Sequence, residues 1–263
     1  MQTVPRILIT GASGMGATGI RPLLRKAGYR LVLLDVAEVP DLRDGEVFHR
    51  ASITDSRALD RALDGVDLVV HLGGFSRETE WANILQTNID GTQKVLEAAH
   101  HAGVRRVLLA SSMHAIGFWP ANTPTNGLSP RPDTYYGVSK IAAEALGSVF
   151  ADRFGMTIVS ARIGTFADEP SGERHRRTWL SYADLVRLVE AVATTEVTGH
   201  HVIYATSANT RRWFPLENGY VIGYNPEDNA EAWGPYSTTE TDADSELIGG
   251  AFTTDAFPLG ESS

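Results

Sequence analysis

A doubly wound, parallel α/β domain is the fold class that this sequence predicts, on three observations. Short runs rich in Val, Ile and Leu recur at residues 6–10, 30–35, 68–72, 106–110, 157–161 and 201–205. Amphipathic stretches of helical period lie between them, notably 81–102, 134–154 and 181–193. The runs are apolar almost throughout rather than alternating, as strands must be when helices cover both faces of a sheet. The 263 residues read as one domain, 1–263, with no internal repeat or linker.

Composition narrows the chemistry. There are no cysteines, which excludes disulfides, zinc–thiolate sites, iron–sulfur clusters and thiol nucleophiles. No apolar stretch reaches the length of a membrane span or a signal-peptide core, so a cytoplasmic protein without membrane contact is expected. The net charge of -9 is uneven: no Lys or Arg follows Arg212, and ten acids lie beyond it. That acidic end disfavours nucleic acid as a partner and reads as solvated surface.

Taken in order, the first strand (6–10) runs into Thr10-Gly11-Ala12-Ser13-Gly14-Met15-Gly16-Ala17 and then a helix. Gly11 allows a tight turn, Gly14 lets backbone approach a pyrophosphate, and small Ala17 permits close helix–strand packing. The second strand ends at Asp35, whose carboxylate suits the hydroxyls of an adenosine ribose and repels a 2′-phosphate. Strand, glycine turn, helix and acid together make the sheet Rossmann-type and favour NAD over NADP.

The strand at 68–72 opens into His71-Leu72-Gly73-Gly74-Phe75-Ser76, a glycine pair and a hydroxyl at the edge where ligands bind. The strand at 106–110 leads into Ser111-Ser112-Met113-His114, placing Ser111, Ser112 and His114 at the same edge. A Pro- and Gly-rich excursion from 119 to 132 precedes the helix at 134–154, which carries Tyr136-Gly137-Val138-Ser139-Lys140. The i, i+4 spacing puts Tyr136 and Lys140 on one face, where an ammonium stabilises a phenolate and lowers the phenol's pKa. With 8 Tyr and Lys only at 26, 94 and 140, chance supplies about 0.1 such pairs. Tyr135 faces about 100° away and has no such partner.

Beyond the strand at 157–161 lies Arg174-His175-Arg176-Arg177, of which one guanidinium is expected to clamp a carboxylate and the others to be solvated. The pairs His100-His101 and His200-His201 lack a carboxylate at ligand spacing, so no metal site is expected.

These motifs together resemble the extended short-chain dehydrogenase/reductases, the sugar-epimerase-like branch, with Asn88-Ile89-Asp90-Gly91-Thr92 on the 81–102 helix. Within them the chain resembles the uronate dehydrogenases. That likeness rests on His71–Ser76, on Ser111-Ser112-Met113-His114-Ala115-Ile116-Gly117-Phe118, on Arg131-Pro132-Asp133-Thr134-Tyr135-Tyr136 and on Ser207-Ala208-Asn209. The resemblance implies NAD-dependent oxidation of the anomeric carbon of galacturonate or glucuronate to an aldaric acid lactone. It implies Tyr136 as base with Lys140 and Ser112 assisting, and an NAD site of Gly11, Ser13, Gly14, Met15, Gly16, Asp35, Ser52, Ile53, Leu72, Gly73, Gly74, Asn88, Tyr136 and Lys140. Ser52 stands where the family commonly has an Asp. For the sugar acid it implies Ser76, Ser112, Met113, His114, Tyr136, Arg174 on the carboxylate and Phe252 closing the pocket from the tail. A small C-terminal substrate-binding cap, 162–185 and 206–263, and a homo-oligomer complete the expectation. If Phe252 lines the pocket, the carboxylates of the tail should point outward. A nucleotide-sugar epimerase or dehydratase, and a non-catalytic dinucleotide sensor, are the competing readings.

Overall fold

The computed structural model describes residues 4–123, 127–234 and 246–262. Seven strands form one parallel sheet in the order β3-β2-β1-β4-β5-β6-β9: β1 Arg6–Thr10, β2 Arg30–Asp35, β3 Glu46–Arg50, β4 Leu68–His71, β5 Arg106–Ser112, β6 Thr157–Ile163 and β9 Gly199–Ala205. The order reverses between β1 and β4, and in such sheets ligands bind beyond the carboxyl ends of the strands at that point. A two-stranded ribbon, β7 Thr165–Phe166 and β8 Trp179–Leu180, stands apart from the sheet.

Each strand feeds two cores because its side chains alternate. Ile7, Ile9, Leu31 and Leu33 pack on one face with α1 (Met15–Lys26) and α7 (Tyr182–Thr194). Leu8, Val32 and Leu34 pack on the other with α2 (Ser56–Ala62), α4 (Gly91–His101) and α5 (Tyr135–Phe154). On the first face a Cβ on Gly19 would sit 2.7 Å from the Tyr182 ring, so the first residue of α7 packs its ring directly on the α1 backbone.

Several boundaries differ from the sequence expectation. Thr134 and Ser181, expected inside helices, are N-caps whose hydroxyls accept from Gly137 N and Asp184 N, each cap worth about 1 kcal/mol. β5 and β6 run two residues further than expected, to Ser112 and Ile163, which keeps Ser112 on the rigid sheet. The expected helix 81–102 is three pieces in succession, α3 (Trp81–Asn83), a π-helical stretch Ile84–Asp90 and α4. Strand β3 has no counterpart in the apolar runs. It is an edge strand opened by buried Glu46, whose carboxylate takes Arg21 Nη2 at 2.6 Å and Nε at 3.1 Å.

Candidate active site

The turn after β1 is closed by backbone. Gly11 N donates to Leu34 O at 3.0 Å and Gly14 N to Gly11 O at 3.0 Å. Gly11 has φ +70°, and a Cβ there would lie 2.8 Å from Gly73, so only glycine fits. No side chain caps α1 at Gly14 and its first turn holds no acid, which leaves a helix N-terminus suited to an anion. Asp35 accepts from Ser13 N at 3.0 Å and Ala37 N at 2.9 Å, holding the turn against the end of β2. Ser52 Oγ lies 2.8 Å from Thr54 Oγ1 and accepts from Thr54 N, so its hydroxyl also shapes its own loop.

The loop after β4 is set by a buried relay. His71 Nδ1 meets Thr10 Oγ1 at 2.7 Å, His71 Nε2 meets Thr92 Oγ1 at 3.0 Å, and Gly73 N donates to Thr10 Oγ1. Burial, with Lys140 adding to it, pushes His71 down to about 3, so it is a neutral spacer. Asn88, on the π-helical stretch, accepts from Phe75 N at 2.8 Å and donates to Phe75 O and to Ser139 Oγ. Its amide is therefore spent on positioning, and it faces a separate enclosed space of about 10 Å³ beside Lys140, the size of one water.

At the end of β5 the two serines diverge. Ser111 Oγ donates to Glu144 Oε1 at 2.6 Å, and Arg162 grips the same buried carboxylate through Nε and Nη2, both at 2.8 Å. The expected substrate-facing role of the Ser111 hydroxyl is thus corrected: strand alternation turns it to α5. Ser112 turns the other way, accepts from His114 N at 3.2 Å and hydrogen-bonds the Tyr136 side chain. Lys140 Nζ donates to Ala110 O at 2.8 Å and stands 5.1 Å from the Tyr136 ring centroid.

The electrostatics differ from the sequence expectation. Burial pushes the Tyr136 hydroxyl up to about 12, the Ser112 hydrogen bond opposes it, and Asp133 raises it further. Burial also brings Lys140 down to about 8. Lys140 remains cationic at neutral pH, yet it is Ser112 that opposes the effect of burial on Tyr136. Tyr135 points elsewhere and packs edge-to-face on Trp81, with ring centroids 5.2 Å apart.

Of the arginines in the basic cluster, Arg174 reaches the cavity, beside His175. It donates to Ile248 O, contacts Met113 Sδ at 3.7 Å and lies over the Trp213 ring at 5.1 Å. Arg176 is held by Glu173 and Glu231 instead. The Phe252 ring sits 4.2 Å from His114 and stacks on Phe257 at 4.3 Å. Beyond Arg212, Glu217, Glu227, Glu231, Glu246, Asp255 and Glu261 are exposed, as expected of carboxylates pointing outward, while Asp228 is half-buried against Ser181 and Arg187; Glu240, Asp242 and Asp244 lie outside the described residues. One cavity of about 880 Å³ gathers every expected site residue except Asn88, from Gly11 through Ser76, Ser112 and Tyr136 to Arg174 and Phe252.

Comparison with known proteins agrees with this geometry. Residues 7–182 match the NAD dependent epimerase/dehydratase family. The chain belongs to that family. It is 40% identical to the uronate dehydrogenase of Pseudomonas syringae pv. tomato, over 87% of this chain and 84% of the relative. It is 36% identical to that of Agrobacterium fabrum, over 90% and 89%. A crystal structure of an Agrobacterium tumefaciens uronate dehydrogenase variant complexed with NAD superposes with a TM-score of 0.88 at 34% identity, covering 95% of this chain and 97% of that one. Within the family this chain is an NAD-dependent oxidoreductase of the uronate dehydrogenase type.

The residues present fit the dinucleotide. An uncapped helix N-terminus suits the pyrophosphate, Asp35 suits the ribose, and the close Gly11–Gly73 backbone contact brings the loops after β1 and β4 together on one rim of the cavity. Two residues of the site escaped the sequence reading. Glu78, 2% exposed, accepts from Tyr136 N at 2.8 Å and Gly260 N at 3.0 Å, joining the tail to the start of α5. Asp133 was part of a recognised segment without a role, and it carries the His114 ring. No local signal marks Glu78, whose burial depends on a tail residue at the far end of the chain. For Asp133 the one signal is its place just before the Thr134 cap.

Proposed function

We propose that the protein oxidises C1 of a hexuronate pyranose, galacturonate or glucuronate, to the aldaric acid lactone. One observation carries the substrate class: a guanidinium, Arg174, opens onto the same cavity as Ser112, Tyr136 and Lys140 and contacts Met113, the neighbour of Ser112. That span suits a single sugar whose anomeric hydroxyl meets Tyr136 while its C6 carboxylate meets Arg174.

When bound, NAD would supply the hydride acceptor. Tyr136 takes the O1 proton as the C1–H bonding pair leaves as hydride and C1 becomes a carbonyl carbon. Ser112 holds O1 in line with the phenol, and Lys140, tied to Ala110 O, keeps its charge within reach of the ring. Arg174 acts far from the reacting carbon, so its binding orients the sugar and favours uronates over neutral aldoses, which lack the carboxylate. Ser76, His114 and Phe252 line the space between and complete the sugar pocket. The test is carbon NMR of uronate labelled at C1: the label should move to a lactone carbonyl as NADH accumulates. A label that stays anomeric while C4 inverts would indicate an epimerase instead.

A further inference from the structure

His114 is held in an unusual way. Its Nδ1 lies 2.6 Å from Asp133 Oδ2, with the Asp133 side chain wholly buried and the His114 side chain 10% exposed. The other carboxylate oxygen accepts from Thr134 Oγ1 at 3.0 Å, and that same hydroxyl caps α5 by accepting from Gly137 N. Three glycines from three segments make room for the carboxylate. A Cβ on Gly117 would lie 1.9 Å from Asp133 Oδ2, one on Gly249 2.1 Å from it, and one on Gly137 3.1 Å from Oδ1. Nothing larger fits around this carboxylate, so the acid is built into the fold.

The imidazole is fixed on its faces as well. Phe252 covers it at 4.2 Å and Tyr136 meets it edge-on at 5.8 Å. Nε2 makes no hydrogen bond among the described residues, and the ring lines the main cavity. An ionised carboxylate accepts only, so Nδ1 must carry a proton; in the neutral ring Nε2 is then an acceptor.

We infer that Asp133 is the positioning residue of the sugar subsite: acting through His114, it holds the proton on Nδ1 and presents Nε2 to a hydroxyl of the bound sugar ring. The sugar-hydroxyl half of this inference rests on the uronate reading above; the Asp133–His114 half does not. Without the carboxylate the imidazole can flip or change tautomer, and the subsite then offers a donor where an acceptor is required. The consequence falls on sugar binding more than on the chemical step: Tyr136, Ser112 and Lys140 keep their own contacts, and losing the Asp133 charge only eases deprotonation of Tyr136.

The test is a double-mutant cycle with Asp133→Asn and His114→Ala, read as uronate KM and kcat, with NAD affinity and melting temperature as folding controls. Asp133→Asn keeps the shape and removes the obligatory acceptor. It should raise uronate KM about tenfold and change kcat less than about threefold, and in the His114→Ala background it should add almost nothing. An effect of full size in that background, or a loss in kcat alone, would overturn the inference. Nitrogen-15 NMR of the wild-type histidines needs no substrate: the His114 signals should report a protonated Nδ1 and an unprotonated Nε2, and an imidazolium protonated on both would overturn the acceptor role. An Nε2-only tautomer would sink the idea even if uronates are oxidised. A protonated Nδ1 in a protein that ignores uronates would fault the substrate reading and leave the pair intact.

Discussion

Tyr136 and Lys140 sit one helical turn apart, and their spacing alone located them. Their energetics were not legible, because desolvation depends on what covers them. With the Tyr136 hydroxyl held at about 12, and the deprotonated form needed to take a proton, kcat/KM for uronate should rise from neutral to alkaline pH. The rise should slacken above about 8, where Lys140 loses its charge. Lys140→Met should shift the rising limb to higher pH, and Tyr136→Phe should lower kcat about 10³-fold with NAD binding retained. A Lys140→Met profile superimposable on the wild type would refute the electrostatic role. At this scale the glycine turn was also readable, since Gly14 N to Gly11 O is a local contact, and Asp35 was readable from its place at the end of β2. Asp133 and Glu78 were not: each is enclosed by segments distant in sequence, among them the tail through Gly249 and Gly260.

Elements were legible in proportion to how apolar they are. β1, β2 and β4 lie in the middle of the sheet with both faces covered, and their continuous Val/Ile/Leu runs announce them. β3 hides because it is an edge strand with a polar sequence, Glu46–Arg50, and it is pinned through Glu46 to Arg21 and Arg25 on α1. The π-helical stretch hides because the hydrophobic period barely changes across it, although it carries Asn88 and so determines where the Phe75 loop lies. Helix α5 is attached to β5 and β6 through one buried acid, Glu144, shared by Ser111 and Arg162. Glu144→Gln leaves the Arg162 charge buried without its counterion. Denaturant unfolding should show a loss of about 3 kcal/mol, with activity per folded molecule reduced less than stability. A stability within about 0.5 kcal/mol of wild type would mean the pair does not anchor the catalytic helix.

For the whole molecule, two ends of the chain share one cavity: the first glycine turn lines one part of it, and Gly249, Ala251 and Phe252 of the tail line another. The tail is joined to the sheet domain through Arg174 to Ile248 O, Glu78 to Gly260 N and Thr79 to Ser262. Removing residues 250–263 should therefore raise uronate KM about tenfold or more, a loss of about 1.4 kcal/mol, while NAD affinity changes little. Loss of NAD binding instead would mean that the tail supports the whole fold. The surplus of acid beyond Arg212 is compatible with an anionic substrate, because the described tail carboxylates of Glu246, Asp255 and Glu261 face solvent while Arg174 faces the cavity. Among the described residues no helix is long and apolar enough to cross a membrane.

The most direct test of the account is the initial rate of NADH formation with galacturonate and glucuronate beside galactose and glucose, the same rings with a neutral C6, for the wild type and Arg174→Ala. The account predicts fast reduction of NAD with the uronates, little with the neutral sugars, and a preference that collapses in Arg174→Ala. Equal turnover of acidic and neutral sugars by the wild type would contradict it.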